Sequence, residues 1–169
     1  MKWIGFLLIL SGCTGIGLSY INEYTRRIDA LTNIRGMMHY IQDMITYEKL
    51  PLAEAIGRSG QRMEGIYQTF LTEVARQMEL FSGEELLLIW QEQAQQLKKV
   101  IARQDYQEFL HCMDQTGFAT ASSQGAAIRQ YEAELTDRIN ALISQREEKC
   151  KLYRSLGILS GIFICVLLF

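Results

Sequence analysis

The sequence predicts an all-α protein, a bundle of about five amphipathic helices set between an N-terminal and a C-terminal transmembrane helix. Three observations carry this. Pro51 is the sole proline in 169 residues, and a chain nearly free of proline favours long uninterrupted helices. Through the middle, apolar residues recur every three or four positions, the period of one helix face. At both ends charge disappears: every acidic residue lies between Glu23 and Glu148, and the only basic residue outside Arg26 to Arg154 is Lys2. The pattern divides the chain into a first anchor at 1–21, a helical domain at 22–154 and a second anchor at 155–169.

The first anchor reads WIGFLLILSGCTGIGLSYI over residues 3–21, without a charge. That is close to the roughly 20 residues that cross a bilayer core. Trp3 and Tyr20 stand at its edges, where aromatic rings prefer the membrane interface. Ser11, Gly15 and Ser19 recur every four residues and give a smooth face for another helix. Leu10-Ser11-Gly12-Cys13 also matches a lipoprotein cleavage box with Lys2 as its positive region, which would lipidate Cys13 and place the domain outside. The run stays apolar through Ile16, Leu18 and Ile21, which favours the transmembrane reading.

Ile28, Leu31, Ile34, Met38, Ile41 and Ile45 step by three or four along a helix from about 22 to 48. Pro51 ends it, because proline disfavours helix at the residue before it and can open the next helix at its first turn. A short helix then carries Leu52, Ala55 and Ile56 and ends in Gly57 to Gly60. A third carries Ile66, Phe70, Val74 and Met78. Ser82-Gly83-Glu84-Glu85 reads as a capping box opening a fourth, with Leu86, Trp90, Ala94 and Leu97 on one face. A shorter helix after Asp105 carries Tyr106, Phe109, Leu110 and Met113. The last begins near Ala121 with Ile128, Tyr131, Leu135, Ile139 and Leu142 on its stripe. It runs through Arg146, Lys149, Lys151 and Arg154 into the second anchor, SLGILSGIFICVLLF at 155–169, where Gly157 and Gly161 make a second smooth face. The first and last helices return to one membrane, so they are expected side by side and antiparallel.

Charge sets the expected orientation and partners. Removing Lys2 from the 17 basic residues leaves 16 against 19 acidic ones between residues 22 and 154, a net charge of −3. A basic nucleic-acid footprint is absent at that level. Arg26 and Arg27 follow the first anchor and the Arg146–Arg154 cluster precedes the second, so the positive-inside rule puts the domain in the cytoplasm.

Sites for chemistry are scarce. The two histidines, His39 and His111, are far apart, and His111 with Cys112 cannot share a metal easily on a helix. The four cysteines, Cys13, Cys112, Cys150 and Cys165, form no CxxC pair, so neither a zinc site nor a disulfide framework is expected. Glu132 and Glu134 flank Tyr131 on a face expected to be solvated. No nucleotide-binding glycine motif occurs. The expectation is a protein that is no enzyme and holds no cofactor or metal. A partner-binding corner is the candidate site: Pro51 turns the chain tightly, and Tyr47, Glu48, Lys49 and Glu54 give that turn more polar groups than a buried corner needs.

Three stretches carry a family resemblance. They are the glycine-rich anchor from Ile4-Gly5 through Gly17 followed by Arg26-Arg27, the segment IQDMITYEKLPLAEAI from Ile41 to Ile56, and the ending Lys149-Cys150-Lys151-Leu152-Tyr153-Arg154-Ser155-Leu156-Gly157 with Gly161 and an apolar tail. Together they resemble the stage III sporulation protein AB family of endospore-forming bacteria over the whole chain. The stretch Met113 to Thr120, and Met44, depart from that family's usual acidic positions. The resemblance implies an assembly component of the complex linking mother cell and forespore. Its domain would be similar to the cytoplasmic bundle of the type II secretion and type IV pilus platform protein. It further implies contact with a stage III sporulation protein AA-type ATPase and other channel-complex proteins, at the outer forespore membrane. A homo-oligomer stays open, and so does the alternative of a membrane-anchored signalling or adaptor bundle.

Overall fold

The computed structural model describes the backbone of residues 2–80, 86–116 and 121–168, and their side chains except at 2–21, 114–116, 121–123, 154, 157–158 and 160–168. Among the described residues there are six α-helices and no strand. They are α1 (Lys2–Thr46), α2 (Leu52–Gly60), α3 (Gly65–Leu80), α4 (Leu86–Ala94), α5 (Arg103–Thr116) and α6 (Ala121–Leu168), with a 3-10 segment at Gln95–Lys99 between α4 and α5. No helix among the described residues is long and apolar enough to cross a membrane. The anchors expected at 3–21 and 155–169 fall outside the described side chains except at Ser155, Leu156 and Leu159. Ser11, Cys13, Gly15, Ser19, Gly157 and Gly161 lie outside them too, as does the expected capping box at Ser82 to Glu85.

Chain contacts separate two compact units, one of residues 29–138 and one of 1–28 with 139–169. In the first, the α1 stripe is buried as the spacing predicts, with Leu31, Ile34, Met38, Ile41 and Ile45 all inside. Met37 and Met44 are buried beside them, so α1 shows a face wider than one seam. α6 buries Ile128, Tyr131 and Leu135 in the same unit. Two contacts fix its direction. His39 of α1 meets Glu132 of α6, while Thr46, further along α1, faces Gly125, earlier on α6. The two helices are therefore antiparallel there.

The α3 face is turned from the expected one. Tyr67, Phe70, Leu71, Val74 and Ala75 are buried, whereas Ile66 and Met78 are half-buried. The reason is α2, which packs along α3: a Cβ on Gly57 would lie 3.3 Å from the Ala75 Cβ, and one on Gly60 3.2 Å from the Leu71 Cβ. Gly65 opens α3 at φ +61°, a conformation open to glycine at little cost. Phe70 of α3, Trp90 of α4 and Phe109 of α5 form one aromatic cluster. Their centroids lie 4.7 Å apart for Phe70–Trp90 in edge-on geometry and 5.0 Å for Trp90–Phe109. Each such pair adds about 0.5–1.5 kcal/mol beyond area burial.

α4 is shorter than its stripe. It ends at Ala94, and Leu97 belongs to the 3-10 segment, buried all the same. Leu97 closes that segment by accepting from both the Val100 and Ile101 amides at 3.0 Å. α5 starts at Arg103, two residues ahead of Asp105, which lies buried in its first turn. In the other unit, Ile139 and Leu142 of α6 are buried, and the Lys149 ammonium sits 5.1 Å from the centroid of the Tyr24 ring.

Candidate functional site

The corner between α1 and α2 is built from backbone first. The Tyr47 amide donates to the Asp43 carbonyl at 2.9 Å, and the Leu50 amide reaches back to the Met44 carbonyl at 3.1 Å. Between them Lys49 takes a left-handed conformation, φ 58°, the conformation that commonly closes a helix and usually falls to glycine. Pro51 stands just before α2 at φ −58° and ψ 149°. It is extended, and so lies one step outside the helical turn in which it was expected. Its carbonyl accepts the Ala55 amide at 2.9 Å, which ties the corner to the first turn of α2.

The side chains of this corner face solvent. Tyr47 is 75 % exposed, and Glu48, Lys49, Pro51 and Glu54 are exposed as well. Arg58 joins two of them, with its guanidinium 2.7 Å from Glu54 and 3.5 Å from Glu48. All five candidates are thus exposed to solvent, and Arg58 draws two of them, Glu48 and Glu54, together. The Glu54–Arg58 pair is readable as an i, i+4 spacing on α2. The Glu48–Arg58 pair needs the turn itself, and no local spacing points to it.

Elsewhere in the same unit, α1 and α6 meet through a polar contact. His39 places Nδ1 3.2 Å from the Glu132 carboxylate and Nε2 3.5 Å from Asp43. Glu132 is thus half-buried and engaged with α1, and the face expected to be solvated at Glu132 is partly an inter-helix face; Glu134 remains exposed. α5 and α6 also border a cleft of about 160 Å³ whose lining includes His111, Cys112, Tyr131 and Glu134. Burial first, and the Glu134 charge second, push the Cys112 thiol up to about 12, so it stays a thiol and not a nucleophilic thiolate near neutral pH. Burial first, then the Cys112 sulfur once ionised and the Asp105 and Glu134 carboxylates, raise Tyr131 far above the usual phenol range.

No cluster of three His, Cys, Asp or Glu side chains suited to a metal occurs among the described residues, and neither Cys112 nor Cys150 is in a disulfide. What the corner offers is a solvated aromatic ring, next in sequence to one of two carboxylates bridged by Arg58.

Comparison with known proteins bears on the whole length. No curated protein matches the chain, and no solved structure does. The family model described as stage III sporulation protein AB matches residues 2–169. The chain belongs to the stage III sporulation protein AB family.

Proposed function

We propose that this protein is a membrane-held platform of the mother cell–forespore channel complex, and that its helical domain docks the complex's cytoplasmic ATPase at the α1–α2 corner. Membership of a sporulation family supports the process. The observation that carries the docking reading is Tyr47, 75 % exposed next to charged groups already paired with one another. Solvated aromatic anchors of this kind are enriched among the residues that dominate interface energies. The membrane reading is supported by the uncharged run at 3–21 and by Leu152, Leu156 and Leu159, which are 56 %, 53 % and 64 % exposed along α6. Leucines so placed on a helix that leads into an apolar tail suit lipid better than water. Under this reading residues 22–154 face the mother-cell cytoplasm, where the ATPase is reached.

The experiment is binding of the full-length protein, in detergent or nanodiscs, to the stage III sporulation protein AA-type ATPase. Tyr47→Ala should weaken binding about 30-fold or more with the thermal unfolding midpoint unchanged. Unchanged affinity would remove the corner from the interface.

A further inference from the structure

The cleft between α5 and α6 is a built site of its own, apart from the corner at Pro51. Its volume of about 160 Å³ is close to that of a protein cavity that holds one benzene, about 150 Å³. It therefore has room for one large side chain. Cys112 and Tyr131 are buried among its lining residues. Glu108, Gln130, Glu134 and Arg138 line it as well.

The lining holds two carboxylates, the Arg138 guanidinium and the His111 imidazole. Glu108 is paired with Arg138, which leaves Glu134 as the second carboxylate. Glu134, at the exposed side of the cleft, accepts a hydrogen bond from the Gln130 side-chain amide at 3.2 Å, a neutral donor. The field of its charge reaches the buried groups. Glu134 is among the causes that hold Cys112 and Tyr131 protonated, behind their burial, and Asp105 adds to it at Tyr131. A cleft lined by both polar and apolar groups, with two carboxylates to one guanidinium, is suited to a cation that also buries carbon. Arginine and lysine side chains combine the two.

We propose that the α5–α6 cleft receives a basic side chain, arginine or lysine, from a protein partner, with Glu134 as its counter-ion and the Tyr131–Cys112 surface packing its stem. The inference stands whether or not the α1–α2 corner binds the ATPase.

The test uses the full-length, 15N-labelled protein in a non-ionic detergent. The probes are acetyl-Gly-Arg-Gly-amide, acetyl-Gly-Lys-Gly-amide, the neutral isostere acetyl-Gly-citrulline-Gly-amide, and spermidine. The expected result is a saturable shift of the Gln130 side-chain amide and the Glu134 and Cys112 backbone amides with at least one basic peptide. The citrulline peptide should produce none. Glu134→Gln should weaken the binding about 10-fold or more, with the rest of the spectrum superimposable on the wild type. Glu79→Gln, an exposed acid on α3, should leave binding unchanged. The proposal is overturned if neither basic peptide gives a saturable shift, if citrulline binds as well, or if Glu134→Gln has no effect. Binding of spermidine alone would assign the cleft to free polyamines and overturn a protein partner.

Discussion

A Cβ placed on Gly125 would lie 3.0 Å from the Thr46 hydroxyl oxygen. This close approach lets α6 lie against the C-terminal end of α1. The hydroxyl cannot swing away without cost, because it accepts a hydrogen bond at 3.2 Å from the buried Gln42 side chain. In an open helix Gly→Ala gains about 1 kcal/mol of helix propensity; at this position the contact with Thr46 opposes the gain. Gly125→Ala should therefore be more favourable in a Thr46→Ala background than in the wild type, by roughly 1 kcal/mol. A double-mutant cycle of denaturant midpoints measures the difference. Equal effects in the two backgrounds would mean that Thr46 does not set the spacing.

Lys49 is the one non-glycine residue with positive φ among the described residues. Lys49→Gly should raise stability by about 1 kcal/mol by removing the side-chain clash of the left-handed conformation. Lys49→Val should lower it, because a branched Cβ tolerates that conformation worst. Urea melts of the three proteins give the order directly.

The Arg58 bridge changes what charge reversal at the corner means. Glu48→Lys with Glu54→Lys would put three cations together where two ion pairs stood. Exposed pairs contribute at most about 1 kcal/mol each, so the domain should still fold, with a modest loss in midpoint. Adding Arg58→Glu restores the network with its signs inverted and should recover that loss. ATPase binding should fall in the double variant and stay low in the triple one. Recovery of binding together with stability would show that the network only supports the turn.

Cys112 gives a pH prediction. Its folded pKa, about 12, lies above the ordinary thiol value of 9.0, so between those values the unfolded thiol loses its proton while the folded one keeps it. Its contribution to stability is whole below pH 9 and is lost as pH rises towards about 12. Cys112→Ala should flatten the alkaline fall in stability, by up to about 1.4 kcal/mol per pH unit. The buried tyrosines supply the fall that remains. Denaturant melts of both proteins between pH 8 and pH 11 show the difference (the range is about that of accessible buffers).

Topology has its own test. A reporter after Phe169 should register outside the cytoplasm and one inserted near Gly60 inside it. Cys13→Ala should leave mass and membrane attachment unchanged. Loss of a lipid-sized mass would establish lipidation at Cys13 and reverse the orientation.

Much of the fold could be read from local spacing. The stripes of α1 and α6 are periodic over many turns and so stood out, while Pro51 marked the end of α1 to within a few residues, since the helix stops at Thr46 and Lys49 turns left-handed after it. Features made by register between helices did not. The rotation of the α3 face depends on how closely Gly57 and Gly60 let α2 approach. The His39–Glu132 contact, the Gly125–Thr46 approach and the α5–α6 cleft each join residues far apart in sequence. At the corner, Tyr47 to Glu54 were legible because a polar turn beside proline is a local signal. Arg58 was half legible, through Glu54 and not through Glu48.

The Phe70–Trp90–Phe109 cluster places the sole tryptophan outside the N-terminal run at the meeting of three helices. Its indole Nε1 is buried and has no hydrogen-bond partner among the described residues. Trp90 fluorescence thus senses α3, α4 and α5 locked together, while circular dichroism weighs every helical residue, including the long α1 and α6. Two optical signals of one melt are therefore tied to different parts of the molecule. Coincident curves would mark a single cooperative transition, and separated curves would show the ring cluster dissolving while helix persists.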